Sequence, residues 1–223
     1  MSPAAPCPDL PAWRWGPPLG EGRAVVLLLH GLGHDAETVW HMLGPGLPAD
    51  VSVLAPEGQF LGRDGAGHAW FSVTLGSQGP QANLAEEAQS RGRIIALAQA
   101  LAAGPSPGPP LVLAGLSQGG ILALNAMLEQ PDLFAGCAVA TGRLMAEAAD
   151  QNPPKSAHVG KLIFWGHGKV DPIIASTAVE TGIARLAAYG MEISTMLHDG
   201  GHEAPVALQQ ALRTWLDHIC PSS

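Results

Sequence analysis

Lysine is scarce in this chain: only Lys155, Lys161 and Lys169 occur in 223 residues, and 11 Lys and Arg face 19 Asp and Glu, leaving a formal charge of −8. So acidic a chain has no basic patch to gather nucleic acid or anionic lipid. Cysteine is sparse as well. Cys7, Cys137 and Cys220 are odd in number and scattered, which excludes a disulfide framework and implies free thiols in a reducing compartment. Long apolar runs are missing too. The longest, Ala24 to Leu29, falls far short of the roughly 20 residues needed to cross a bilayer. Met1-Ser2-Pro3-Ala4-Ala5-Pro6 has neither the basic start nor the apolar core of a secretory signal. Cys220-Pro221-Ser222-Ser223 has the outline of a prenylation box, but Pro and Ser stand where aliphatic residues are wanted. The expectation is a soluble, cytoplasmic protein with no nucleic-acid partner and no stable membrane insertion.

Apolar residues make up 47% and charged residues 13%, the balance of a compact globular chain rather than a disordered one. The length suits one α/β domain over residues 1–223. Residues 3–20 read as a Pro-rich, irregular or edge-strand lead that packs Trp13, Trp15 or both onto the body. Ala24 to Leu29 is a strand buried on both faces, as in a mostly parallel sheet. A helix over 36–43 and a strand over 51–55 complete a βαβ unit. Residues 57–83, rich in Gly with Phe60, Trp70 and Phe71, form a long loop expected beside a site. A helix over 84–103 and a Pro/Gly connector at 104–110 come next, then a strand from Leu111. Further strands are expected at 134–140, 161–165 and 191–197. A short helical turn at 144–149 and helices over 175–188 and 203–219 complete the α/β pattern.

The strand from Leu111 ends in Gly115-Leu116-Ser117-Gln118-Gly119 and passes directly into a helical pattern. A strand–turn–helix this tight projects its central side chain off the sheet and tolerates no bulk two positions before or after it. The helix start at Gln118 also directs free N–H groups and a positive dipole end at the Ser117 hydroxyl. Functional residues of a parallel sheet collect at the carboxyl ends of its strands. Here Ser117, Asp171 and His202 follow three such ends, in the order Ser, Asp, His that distinguishes α/β-hydrolases from the other serine triads. His198 and Asp199 lie close enough to His202 to compete for the same roles.

Four blocks give the sequence a wider likeness: Leu29-His30-Gly31-Leu32-Gly33, Gly115-Leu116-Ser117-Gln118-Gly119-Gly120, Gly166-His167-Gly168 with Asp171-Pro172-Ile173-Ile174, and Gly201-His202-Glu203. From about residue 24 to its end the chain resembles the phospholipase/carboxylesterase family, the carboxylesterase and acyl-protein thioesterase branch of the α/β-hydrolases. The resemblance implies Ser117 as nucleophile, His202 as general base and acid, and Asp171 as its orienting carboxylate. It also implies an oxyanion hole made by the backbone N–H groups of Leu32 and Gln118. His202, rather than His198, sits in the Gly-His-Glu match. His30 and His167 are read as loop braces. His30, His34 and His41 do not make a metal site, since no carboxylate or thiol cluster completes one.

Trp70, Phe71, Leu32, Leu75, Met145, Ile173 and Ile174 are the candidates for lining an acyl pocket. Relatives often carry a carboxylate at the position of Ser72, a Pro at that of Ala175 and an acidic residue at that of His34. The expected activity is hydrolysis of short- to medium-chain acyl esters through an acyl-Ser117 intermediate, without metal or organic cofactor. The substrate would be a small-molecule or lipid-like acyl ester, and the reading allows a homodimer. Two alternatives are kept: an acyl-protein thioesterase or lysophospholipase acting on longer chains, and a non-catalytic ligand receptor on the same fold.

Overall fold

The computed structural model describes residues 12–62, 65–76, 79–103 and 108–222. The first part of the Pro-rich lead and most of the 104–110 connector lie outside them. In chain order the elements are β1 (Ala12–Trp15), β2 (Val25–Leu29), α1 (Ala36–Leu43), β3 (Ser52–Pro56), β4 (Phe60–Leu61), β5 (His68–Ala69), β6 (Val73–Gly76) and β7 (Gly79–Ala82). They continue with α2 (Leu84–Ala102), β8 (Leu111–Leu116), α3 (Gln118–Glu129), β9 (Gly136–Ala140) and α4 (Ala146–Gln151). β10 (Leu162–Gly168), α5 (Ser176–Ala188), β11 (Glu192–His198) and α6 (Val206–Ile219) close the chain.

Seven strands form the central sheet in the order β1-β3-β2-β8-β9-β10-β11, and every neighbouring pair is parallel except β1 with β3. The continuous apolar runs of β2, β3, β8 and β9 are buried at every residue because helices cover both faces. Val25, Leu27 and Leu29 belong to the core on one face of the sheet, which also takes in Ile94 of α2, Leu122 of α3 and Val179 of α5. Val26 and Leu28 turn to the opposite face and belong to the core there, with Val39 and Leu43 of α1 and Leu212 and Trp215 of α6. Each such buried aliphatic side chain contributes about 1.5–3 kcal/mol. The lead follows the expectation of an edge strand: Trp15 stacks on Trp40 with centroids 4.5 Å apart, while Trp13 is half exposed.

The structure departs from the sequence reading in several places, β9 starting at Gly136 rather than 134 and α6 at Val206 rather than 203 among them. Residues 57–83 are not a plain loop but carry two small hairpins, β4–β5 and β6–β7. β10 runs on through Gly166-His167-Gly168, because these residues stay in register with Met196, Leu197 and His198 of β11. The short helix near Leu144 starts two residues later, since Met145 is still extended at φ −82°, ψ 128°.

Strand order reverses between β2 and β8. From β2 the chain moves outward to β3, and from β8 it moves the other way through β9, β10 and β11. Such a switch point leaves a crevice beyond the carboxyl ends of the strands. Leu29 lies opposite Gly115 there, so the turns after β2 and β8 face each other.

Candidate active site

β8 ends at Leu116 and α3 begins at Gln118, leaving Ser117 alone to turn the chain. Ser117 adopts φ 51°, ψ −114°, a conformation whose strain is of order 1–3 kcal/mol for a residue with a Cβ. It is held there by its N–H donating to the Ala140 carbonyl at 2.8 Å and its own carbonyl accepting from Ile121 N–H at 3.0 Å. A Cβ on Gly115 would lie 2.4 Å from the Gly119 backbone, and one on Gly119 would lie 2.2 Å from the Leu29 carbonyl oxygen. Both positions therefore require glycine for steric reasons.

Three strand ends bring their side chains together at Ser117. His202 Nδ1–H donates to Asp171 Oδ2 at 2.7 Å, and its Nε2 lies 2.8 Å from Ser117 Oγ. An ionised carboxylate only accepts, so this contact places the imidazole proton on Nδ1 and leaves the Nε2 lone pair for the hydroxyl. Asp171 has no exposed side-chain surface, and its Oδ1 accepts the amides of Ile173 at 2.8 Å and Ile174 at 2.9 Å. Burial works to raise this carboxyl, but the Ile174 amide, His202 and the Ile173 amide outweigh it and hold it below the usual carboxylate range. Such an assembly can draw the proton from a hydroxyl and stabilise the resulting imidazolium. His198 does not join it: its Nδ1 accepts from Gly200 N–H at 3.2 Å.

Leu32 and Gln118, the residues expected to supply an oxyanion hole, line one cavity with Ser117, and no hydrogen bond from either backbone N–H is found among the described residues. The Gln118 side chain has a separate task. Its Oε1 accepts from Trp70 N–H at 2.9 Å and its Nε2 donates to the Phe71 carbonyl at 2.7 Å, so the turn after β8 clamps the 70–71 backbone. His30 is a brace: Nδ1–H donates to Gly31 O at 2.8 Å and Nε2 accepts from Gly58 N–H at 2.9 Å. Burial pushes this imidazole down to about 4. His167 donates from Nε2 to Ile174 O at 3.0 Å, with Nδ1 3.8 Å from Asp171 Oδ2. Burial lowers it against the pull of Asp171. His34 Nδ1 is buried without a partner, and burial lowers that imidazole also.

A cavity of about 480 Å³ opens beside Ser117. Leu32, Phe71, Ile173 and Ile174 line it as expected, joined by Gln118 and Ile121. Trp70, Leu75 and Met145 do not. Trp70 is 1% exposed and turns inward, its Nε1–H donating to His30 O at 2.9 Å. Met145 lies in the core, where its sulfur accepts from Asn125 Nδ2 at 3.3 Å. Leu75 points to solvent from the β6–β7 hairpin at 76% exposure. That hairpin contributes Val73, Pro80 and Ala82 instead, and the segment after β9 contributes Arg143. No periodicity marked these, because two short hairpins and a turn place them. At Ser72, where relatives often bear a carboxylate, the backbone N–H donates to Glu86 Oε2 from α2 at 2.6 Å. Among the described residues no group of three or more His, Cys, Asp or Glu is placed to hold a metal ion. No described helix is long and apolar enough to cross a membrane.

The fold and this arrangement define an α/β-hydrolase architecture, and comparison with known proteins narrows it. The sequence profile of the Phospholipase/Carboxylesterase family matches residues 17–220, and the chain belongs to that family. It is 29% identical over 176 residues to the putative esterase NocK of Nocardia uniformis subsp. tsuyamanensis, covering 79% of this chain and 48% of that protein. A probable carboxylesterase of Oryza sativa subsp. japonica is 31% identical over 118 residues, 52% of this chain and 49% of the plant protein. The chain thus spans about half the length of the named relatives it matches. Among solved structures, the Bacillus cereus carboxylesterase superposes with a TM-score of 0.78 at 16% identity, covering 95% of each chain.

Proposed function

We propose that this chain is a serine carboxylic ester hydrolase that works through an acyl-Ser117 intermediate. The reading rests on the continuous contact from Asp171 through His202 to Ser117 Oγ, at 2.7 and 2.8 Å, beside an apolar cavity. Ser117 Oγ attacks the ester carbonyl while His202 Nε2 takes its proton. The oxyanion is met by the Leu32 and Gln118 amides, each worth roughly 10²- to 10³-fold in rate. His202 then returns the proton to the departing alkoxide, which leaves as the alcohol. In the second half a water molecule loses a proton to His202, attacks the acyl carbonyl and frees the acid. No metal or organic cofactor takes part.

The cavity must hold the acyl chain and part of the leaving group, and about 480 Å³ suits short to medium chains. One observation favours the longer-chain alternative, a thioesterase or lysophospholipase. Ile173 lines the cavity while largely exposed, and Leu75 is exposed on the hairpin whose Val73, Pro80 and Ala82 line it. An acyl series of p-nitrophenyl esters against palmitoyl thioesters separates the two. Labelling by a fluorophosphonate tests the mechanism itself: the probe should modify Ser117, and absence of labelling together with absence of ester turnover would leave a binding-only protein.

A further inference from the structure

Among the described residues that line the cavity, only Ser117, Gln118 and Arg143 are polar. Gln118 is engaged with the Trp70 and Phe71 backbone. Arg143 is half-buried, and its one hydrogen bond among the described residues runs from Nη1 to the Leu144 carbonyl at 3.4 Å, at the outer limit of such contacts. Three other arginines have carboxylate partners: Arg23 with Asp50 and Asp217, Arg91 with Glu87 and Glu129, and Arg185 with Asp150, while Arg213 donates to the Leu47 carbonyl and Arg93 to Gln59. Arg143 has no carboxylate partner among the described residues. A guanidinium withdrawn from water and left unpaired gains strongly from an anion that reaches its fork.

The backbone delivers Arg143 to this place through an unusual turn. Thr141 stands at φ 52°, and besides Ser117 it is the one described non-glycine residue at positive φ. It is fully buried, and its Oγ1 has no partner among the described residues. Thr141 N–H donates to Gly166 O at 2.9 Å, and Trp165 Nε1–H donates to Gly142 O at 3.2 Å. A Cβ on Gly142 would come within 2.6 Å of Val139 Cγ1 and 3.3 Å of the Ser117 carbonyl oxygen. The turn is therefore wedged against the Ser117 turn, and it swings Arg143 to the cavity. Strain of this kind next to a site, held by several contacts, points to a functional placement.

We propose that Arg143 makes the site selective for esters that carry a free carboxylate, that is, half-esters of dicarboxylic acids. The proposal deepens the hydrolase reading and rests on it. A single guanidinium without a second cation in the wall matches the two coplanar oxygens of a monoanionic carboxylate better than a phosphate dianion. The rest of the wall is apolar and takes the methylene chain between the two carbonyl carbons. The carboxylate binds without changing, while its ester end is cleaved at Ser117.

The test compares the monoethyl ester of adipic acid with its neutral counterpart, in which the free carboxyl is a primary amide. The wild-type ratio of kcat/KM, acid over amide, should be about 10 to 100, the worth of one charge-assisted hydrogen-bonded pair. Arg143→Met should bring that ratio to about 1, and Arg143→Lys should restore part of it. A second measurement needs neither turnover nor an Arg143 variant. Calorimetric titration of the Ser117→Ala protein with the two esters should show the acid binding about 10-fold or more tighter, with the difference shrinking in high salt. A wild-type ratio near 1, or an unchanged ratio in Arg143→Met, overturns the carboxylate proposal while leaving the hydrolase reading intact. Selective binding by Ser117→Ala with no wild-type turnover of either ester does the reverse.

Discussion

The Ser117 turn and the hairpin segment over residues 57–83 meet at one cavity, yet they are built on opposite plans. Around Ser117 every residue from Leu111 to Leu116 and from Gln118 to Leu128 is buried, and the turn leaves no room for a Cβ at Gly115 or Gly119. The hairpin segment keeps Trp70 and Phe71 buried but turns Leu61 and Leu75 to solvent, and its strands are only two to four residues long. Geometry that must hold to tenths of an ångström is placed where packing leaves no alternative. The apolar wall beside it stands on elements that change shape with few residues. Gln118 joins the two, its backbone opening α3 directly after Ser117 and its side chain holding the 70–71 backbone.

The comparison can be broken most severely at its centre. Ser117→Ala or His202→Ala should lower ester turnover by about 10⁶-fold and Asp171→Asn by about 10⁴-fold, with unfolding curves near wild type and His198→Ala keeping most activity. A retained rate in Ser117→Ala would sink the proposed mechanism. Next in size is the steric demand of the turn. Gly119→Ala should cost more than about 4 kcal/mol, since the added Cβ meets backbone that cannot move. Gly79→Ala, where nothing lies within 4 Å but φ is 103°, should cost only about 1–3 kcal/mol. Chemical denaturation of the two proteins would reveal whether the centre and the wall differ in this way.

Cutting the link between the regions comes third. Gln118→Leu leaves the Trp70 N–H and Phe71 carbonyl without their partners, a loss of about 2–4 kcal/mol, and should raise KM by releasing Phe71 from the wall. An unchanged KM would mean that the 70–71 backbone holds its place unaided. Acid probes the same junction through His30. Its usual value is 6.5 and its folded value about 4, so between these the unfolded chain binds a proton that the folded chain refuses. Stability should therefore fall as pH drops through that window, by at most roughly 3 kcal/mol, with His34 and His167 acting in the same direction. Urea midpoints that stay flat from pH 6.5 to 4 would contradict this. The smallest effect lies far from the cavity: Gly92→Ala, in an exposed helical position with open space around the new Cβ, should stabilise by about 0.5–1 kcal/mol.

The two regions also differ in how well the sequence announces them. Ser117 was legible because the strand run, the flanking glycines and the helix onset all lie within a dozen adjacent residues. Asp171 and His202 were legible as strand-end residues in a known order, even though β10 proved longer than its apolar stretch, and α1 matched its periodicity over residues 36–43. The wall was legible only in part. Phe71, Ile173 and Ile174 line the cavity, the isoleucines being held by their amides on Asp171. Trp70 looked equivalent to Phe71, but one step along the chain turns the side chain the other way, and hydrogen bonding to His30 draws the indole inward.

By itself, then, the sequence determined the parallel α/β architecture, the strand ends that carry Ser117, Asp171 and His202, and the glycines that admit so tight a turn. These follow from periodicity, chain order and the absence of a side chain, all of which are local properties. Tertiary structure decided the rest. It brought the turns after β2 and β8 face to face, and it set Gln118 as a clamp on residues 70–71. It made the wall from Val73, Pro80 and Ala82 rather than Leu75, and it turned Arg143, which has no carboxylate partner among the described residues, into that wall beside the strained backbone at Thr141. Those outcomes depend on contacts between segments dozens of residues apart, which no local pattern encodes.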